Sequence, residues 1–70
     1  MKIQRLDNPT VNLNLHVIND ETLSYHDKGV YAFICSKHPS YDFEDYYEGD
    51  STFRQSATRM LELGYIRIFK

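Results

Sequence analysis

The strongest constraint on the fold is a helix, a glycine and a strand that follow one another directly in residues 51–70. Apolar side chains recur at positions i, i+4, i+7 and i+8, which predicts one buried helical face made of Phe53, Ala57, Met60 and Leu61. Ser51 or Thr52 is expected to cap the helix start, because their hydroxyls accept hydrogen bonds from the first backbone N–H groups. Gly64 fits the left-handed conformation that commonly follows a helix.

The N-terminal part of the chain predicts two strands. Lys2–Leu6 is the first, Asp7–Thr10 carries a turn signal, and Val11–Ile18 alternates apolar and polar residues with the period of a half-buried strand. The C-terminal segment Tyr65–Phe69 predicts a further strand with its two isoleucines on one face. That strand would leave an unpaired edge if it stood alone. We therefore expect the N-terminal strands to pair with it.

The middle of the chain predicts two helices, of which the first is the longer. Ser24 and Asp27 have the spacing of a capping box, so this helix is expected to begin at Ser24 and to run to about Ser36. Its apolar face would contain Val30, Tyr31, Phe33 and Ile34. Pro39 prevents the helix from continuing. Gly29 inside it costs about 1 kcal/mol relative to alanine, and a close approach by another backbone segment is the expected compensation.

The second of these helices is short and lies within Tyr41–Tyr47. Its face would consist of Phe43, Tyr46 and Tyr47, spaced i, i+3 and i+4. Glu44 and Asp45 fall in the first turn, where carboxylates favour the helix dipole. The sequence thus predicts an α+β class and a single domain over residues 1–70, with element order β-β-α-α-α-β.

Length and composition argue against several functional classes. Seventy residues leave little room for an enzyme pocket, and no catalytic or phosphate-loop motif is present, so we expect no enzyme. The single cysteine, Cys35, excludes an internal disulfide and favours a reduced, cytoplasmic protein. The longest apolar stretch is too short for a bilayer, and the first residues form no signal-peptide core. We expect neither cofactor nor metal, because the histidines lie on different elements: His16, His26 and His38.

The charges are segregated along the chain, although the formal net charge is only −2. Tyr41–Asp50 contains five acidic residues and no base, whereas Ser51–Lys70 contains four bases and one acid, a balance of +3. The local field steers a charged ligand more than the net charge does. The basic C-terminal segment is therefore compatible with a nucleic-acid ligand.

Two segments resemble a known family of domains. Leu23–Ile34 looks like the first helix of winged helix-turn-helix domains in phage and plasmid replication initiators and related bacterial regulators, with Leu-Ser followed by Lys-Gly and an aromatic and aliphatic run. Glu48–Ile66 is similar to the family's recognition helix and its Leu-Gly-Tyr-Ile exit. The resemblance covers about Leu13 to Arg67. The chain departs from the family pattern in two ways. Its second helix is short, and it ends four residues after Ile66, which leaves no C-terminal hairpin for a wing.

The resemblance implies a small DNA-binding or regulatory protein of bacterial or phage origin, which acts through the helix 52–63. A helix fits the major groove of DNA, where glutamine reads adenine and arginine reads guanine or contacts phosphate. Gln55 is the candidate for the first role, and Arg54 or Arg59 for the second. Ser51 and Thr52 would hold a phosphate at the helix start. The implied DNA-binding residues are Ser51, Thr52, Arg54, Gln55, Thr58, Arg59 and Arg67.

A protein-interaction module is the alternative function. Exposed tyrosines among carboxylates suit a protein interface, as in a phage or prophage modulator of a host complex. The residues concerned are Tyr41, Glu44, Asp45, Tyr46 and Tyr47. The same tyrosines would equally well fill a small core. The expected partners are therefore duplex DNA or a protein and not a membrane, and the chain is expected to be a monomer or a homodimer.

Overall fold

The computed structural model describes residues 1–6 and 13–69, which form four helices and two strands. The elements are β1 (Lys2–Arg5), α1 (Leu15–Ile18), α2 (Tyr25–Cys35), α3 (Glu44–Gly49), α4 (Ser51–Glu62) and β2 (Ile66–Phe69). The α+β class is confirmed, but the order over the described ranges is β-α-α-α-α-β. The predicted turn at Asp7–Thr10 lies outside the described residues. In the ranges described, every helix is too short or too polar to cross a bilayer.

β1 and β2 form an antiparallel pair in which Ile3 lies opposite Ile68. The predicted pairing with the C-terminal strand is therefore confirmed for the first of the two N-terminal strands. Ile3 and Ile66 are buried, and Ile68 is half-buried on the same face. The other face of the sheet is exposed, and it carries Lys2, Gln4, Arg67 and Phe69. A two-stranded sheet is marginal alone, so its packing against α4 stabilises it.

The predicted strand Val11–Ile18 is wrong, because its described part ends in the helix α1. The side chain of Asn14 caps α1 by accepting a hydrogen bond from the His16 backbone N–H at 2.9 Å. Asparagine offers the backbone such local hydrogen bonds in place of a strand ladder. Within α1 only Val17 is buried, whereas Leu15 is 68% exposed. The alternation of apolar residues in this segment therefore does not correspond to a buried face. Positions 11 and 12 lie outside the described residues.

The capping box of α2 is confirmed. Ser24 Oγ accepts from the Asp27 backbone N–H at 3.0 Å, and Asp27 Oδ2 accepts from the Ser24 backbone N–H at 3.0 Å. The close backbone approach expected at Gly29 is wrong. A β-carbon built there would have no described neighbour within 4 Å, and the residue is exposed.

The short helix α3 is confirmed, although it lies slightly later than the range predicted for it. Glu44 and Asp45 occupy its first turn as expected. Phe43 is buried just before the helix, where its backbone N–H donates to the Met1 carbonyl at 2.9 Å. The predicted aromatic face is incomplete, because Tyr46 is 41% exposed.

The cap of α4 and one residue of its buried face differ from prediction. Asp50, and not Ser51 or Thr52, is the N-cap. The buried residues of α4 are Phe53, Ser56, Ala57 and Met60. Leu61 is 42% exposed, because the buried face is turned toward Ser56, whose hydroxyl donates to Asp27 of α2 at 2.6 Å.

The end of α4 agrees with the sequence pattern. Gly64 has φ 81°, the left-handed conformation predicted for it. Its N–H donates to the Leu61 carbonyl at 3.1 Å, and the Tyr65 N–H donates to the Met60 carbonyl at 2.9 Å. These bonds close the helix and lead the chain into β2. The core between the sheet and the helices is formed by Ile3, Val17, Leu23, Val30, Tyr31, Ile34, Phe43, Phe53, Ala57, Met60 and Ile66.

Candidate nucleic-acid interface

The solvent-facing side of α4 brings together most of the residues predicted to contact DNA. We call it the α4 outer face, and it consists of Ser51, Arg54, Gln55, Thr58, Arg59 and Glu62. At 3.6 residues per turn, Arg54 and Arg59 point about 140° apart, with Gln55 and Thr58 between them. These four residues line an open groove of about 400 Å³ together with Tyr47 and Glu62. The helix and the exposed position of Gln55 are as predicted.

Arg59 forms one border of the α4 outer face and is held by α2. Its Nη1 donates a hydrogen bond to Oδ2 of Asp27, in an ion pair whose arginine side chain is 47% exposed and whose carboxylate is 2% exposed. Within the described residues, this is the hydrogen bond that engages the guanidinium. In the part of the chain that the structure describes, Nε and Nη2 of Arg59 therefore donate no hydrogen bond, and the side chain is partly open to solvent.

The carboxylate of Asp27 is itself held by several donors. Oδ1 accepts from Ser56 Oγ at 2.6 Å, and Oδ2 accepts from the Ser24 backbone N–H at 3.0 Å as well as from Arg59. Burial raises the pKa of Asp27, but the hydrogen bonds from Ser56, Ser24 and Arg59 outweigh it and lower the pKa to about 2. Asp27 is thus a buried, charged acceptor that links α2 to α4.

Arg54 forms the other border and is held by α3. Its Nη1 donates to the Tyr47 backbone carbonyl at 2.7 Å, and its guanidinium carbon lies 5.9 Å from the centre of the Tyr47 ring. The side chain is half-buried. A carbonyl and a ring face hold Arg54 without cancelling its charge, unlike the carboxylate that holds Arg59.

The start of α4 is already occupied by a carboxylate. Asp50 Oδ1 accepts from the backbone N–H groups of Thr52 at 3.0 Å and of Phe53 at 3.1 Å, and from Thr52 Oγ1 at 2.6 Å. These hydrogen bonds, that from the Thr52 hydroxyl above all, lower the pKa of Asp50. The donors expected to hold a phosphate at Thr52 are therefore engaged with Asp50. Ser51 is exposed beside them.

Arg67 lies apart from α4 in the fold. It is exposed on the outer face of the sheet, where it stands opposite Gln4 in the strand register. Lys2 lies on the same face of the sheet. The sheet therefore carries a second pair of exposed cations besides those of the α4 outer face.

The tyrosine-rich segment is divided between two surfaces. Tyr47 is half-buried and lines the groove of the α4 outer face. Tyr46 instead borders an aromatic groove on the α2 side, which is lined by Tyr25, His26, Gly29, Val30, Phe33, Tyr46, Asp50 and Phe53. Tyr41 is half-buried, and burial first, then its neighbour Tyr46, raises its pKa. Glu44 and Asp45 are exposed.

Neither the aromatic groove nor the link from Asp27 to α4 was predicted from the sequence. Tyr25 is 92% exposed, and Phe33 meets Tyr46 edge to face with ring centroids 4.9 Å apart. The one available signal for the link was Ser56, a polar residue three positions after Phe53 on the buried side of the helix. Among the described residues, no three histidine, cysteine or carboxylate side chains are grouped as metal ligands.

Comparisons of the chain with models of protein families, with curated proteins and with solved structures find no match.

Proposed function

We propose that this chain is a DNA-binding protein that uses α4 as its recognition helix. The observation that carries the proposal is the α4 outer face, where Arg54 and Arg59 are held in place on either side of the exposed Gln55 and Thr58. Fixed arginines beside an exposed glutamine match the donors and acceptors that protein helices present to base edges and phosphates.

The proposed scaffold is a winged-helix type of domain. The helices α2, α3 and α4 follow one another in the order of such domains, and β2 follows α4 where a wing begins. β1 pairs with β2 and takes the place of a C-terminal hairpin strand. Only Asp50 separates α3 from α4, so the connection between them is tighter than the usual turn of three to four residues. In this scaffold α4 would enter the major groove, and Arg67 would contact the flanking phosphates.

The formal net charge of −2 does not oppose this proposal by itself. Counterion release depends on the cations that meet phosphates, and those lie on the α4 outer face and on the sheet. The one carboxylate on the α4 outer face is that of Glu62, and the buried Asp27 carboxylate offsets the charge of Arg59, so Arg54 supplies the uncompensated positive charge of this face. We therefore expect weak binding with a steep dependence on salt.

Fluorescence anisotropy with a labelled duplex, measured from 20 to 200 mM salt, tests the proposal. Arg54→Ala should weaken binding and reduce the salt slope by about 1 if Arg54 meets a phosphate. Lys28→Ala is the matched control, because it removes one positive charge from α2 outside the α4 outer face and should leave the affinity close to that of the wild type. Absence of duplex binding at the lowest salt would refute the proposal.

A second candidate function is favoured by the aromatic groove. Its exposed rings, Tyr25 at 92% and Tyr46 at 41%, lie beside the acidic segment 42–50, so a protein partner with a basic and aromatic surface would complement it. In this case Tyr25→Ser and Tyr46→Ser should abolish capture of that partner and leave duplex affinity unchanged. Equal capture by the wild type and both variants would exclude the groove as the binding surface.

A further inference from the structure

We infer that Asp27 is a positioning residue for DNA recognition, which holds Arg59 so that the Nε and Nη2 edge of its guanidinium faces a pair of acceptors on the duplex. The inference rests on the proposed function of the α4 outer face. Asp27 itself lies in the core and would not touch DNA, since its side chain is 2% exposed.

The contacts form a chain that runs from the start of α2 to the surface of α4. The Ser24 backbone N–H and the Ser56 hydroxyl fix the Asp27 carboxylate from two sides, at 3.0 Å and 2.6 Å. That carboxylate in turn accepts from Nη1 of Arg59. Every buried side-chain nitrogen or oxygen of the described residues has a partner. The carboxylate therefore has a single defined orientation from which to hold the arginine.

The ion pair between Asp27 and Arg59 is not needed to cap α2. One oxygen of Asp27 completes the capping box, and glutamate or glutamine at this position would serve that purpose without an arginine. Both oxygens of the carboxylate already accept from other donors, Oδ1 from the Ser56 hydroxyl and Oδ2 from the Ser24 backbone N–H. The guanidinium, however, has five N–H donors in a planar fork, and a fork that is held at one end keeps the donors of the other edge parallel.

This arrangement selects a ligand that offers two acceptors side by side. On a duplex, two oxygens of one phosphate or O6 and N7 of guanine have that geometry. A fixed arginine loses less side-chain freedom on binding than a mobile one does, so the affinity gained per contact is larger. Lysine carries the same charge but cannot donate to Asp27 and to two ligand atoms in a fixed plane.

Duplex titrations of Arg59→Lys, Asp27→Asn and the double variant test this inference, with circular dichroism as the check of folding. Arg59→Lys should weaken binding about tenfold although its charge is kept. Asp27→Asn should also weaken binding about tenfold, although removing a negative charge would strengthen the attraction to DNA. The double variant should bind no worse than Arg59→Lys, because both changes remove the same positioned edge.

Asp20→Asn is the matched control for a change of carboxylate to amide. Asp20 also accepts side-chain hydrogen bonds, from Thr22 and Tyr65, but it lies outside the α4 outer face, so this variant should not weaken binding. Two outcomes distinguish which DNA atoms accept from Arg59. If Arg59 reads guanine, the loss in Arg59→Lys depends on one G·C pair; if Arg59 meets a phosphate, the loss appears with every sequence.

The inference is overturned if Arg59→Lys binds like the wild type, or if a folded Asp27→Asn binds as tightly or more tightly. Should Asp27→Asn fail to fold, the result with Arg59→Lys decides alone. A wild-type chain that binds no duplex refutes the proposed function itself. A wild-type chain that binds and is weakened by Arg54→Ala but not by Arg59→Lys refutes only the role of Asp27.

Discussion

The buried carboxylate of Asp27 should make the fold sensitive to acid. Its folded pKa is about 2, against an ordinary value of 3.8, because hydrogen bonds from Ser56, Ser24 and Arg59 stabilise the charged form more than burial opposes it. A group whose pKa is lower in the folded state stabilises that state fully above its unfolded pKa. The stabilisation is then lost as the pH falls through the folded pKa. The expected window therefore extends from about pH 4 to about pH 2.

The magnitude follows from the size of the shift. A difference of roughly two pKa units corresponds to about 2–3 kcal/mol, a large part of the stability expected of so small a domain. Urea denaturation followed by circular dichroism at pH 6, 4, 3 and 2 measures it for the wild type and for Asp27→Asn. The variant should be less stable at pH 6 by at least this amount, and the gap should close by about 2–3 kcal/mol toward pH 2.

The difference in free energy of unfolding between the wild type and Asp27→Asn contains no contribution from the other acidic groups of the chain. Asp20, Asp42 and Asp50 also have lowered pKa values, but they titrate in both proteins and drop out of the difference. A gap between wild type and variant that stays constant from pH 6 to pH 2 would refute the reasoning. It would mean that the Asp27 carboxylate is not held in its charged form by its three donors.

Three further predictions concern single substitutions. Gly29→Ala should raise the free energy of unfolding by about 0.5–1 kcal/mol, since the site is helical, exposed and open; a lower melting temperature would contradict this. Asp50→Ala should destabilise the fold by about 1 kcal/mol through loss of the α4 cap, and an unchanged urea midpoint would contradict it. Glu62→Gln should tighten duplex binding by about two- to fivefold at low salt, an effect that 200 mM salt should largely remove; tighter binding at both salts alike would argue against an electrostatic cause.

The parts of the fold that depend on local signals could be predicted from the sequence. Gly64, the helix before it and the strand after it follow from spacing and from backbone preference alone. The box of Ser24 and Asp27 is likewise contained within four residues. Pairing of the two chain ends was also predictable, because the C-terminal strand had few possible partners in so short a chain.

The failures occurred where several interpretations fit one pattern. The apolar residues before Ile18 fit a strand by alternation, but the capping side chain of Asn14 selects a helix. Asp50, Ser51 and Thr52 are all good N-caps, and the carboxylate becomes the cap because it can accept from two backbone N–H groups and a hydroxyl together. The relative strengths of competing hydrogen bonds decide between such alternatives. The periodicity of the sequence carries no information about those strengths.

The candidate site was predictable in position but not in organisation. Helical periodicity placed Arg54, Gln55 and Arg59 on the solvent side, as the structure has them. It could not reveal what holds the arginines. The partner of Arg59 is 32 residues away on α2, and that of Arg54 is a backbone carbonyl seven residues away on α3.

The two arginines should consequently respond differently to substitution of their supports. Asp27 takes part in the cap of α2, in the contact between α2 and α4 and in the orientation of Arg59, so under the proposed function a change there should alter stability and DNA affinity together. Arg54 depends on a backbone carbonyl, which no side-chain substitution removes. If both arginines contact DNA, Asp27→Asn should remove the contribution of Arg59 and leave that of Arg54, since only Arg59 depends on the Asp27 carboxylate. The α4 outer face would then hold one recognition contact that is linked to folding and one that is independent of it.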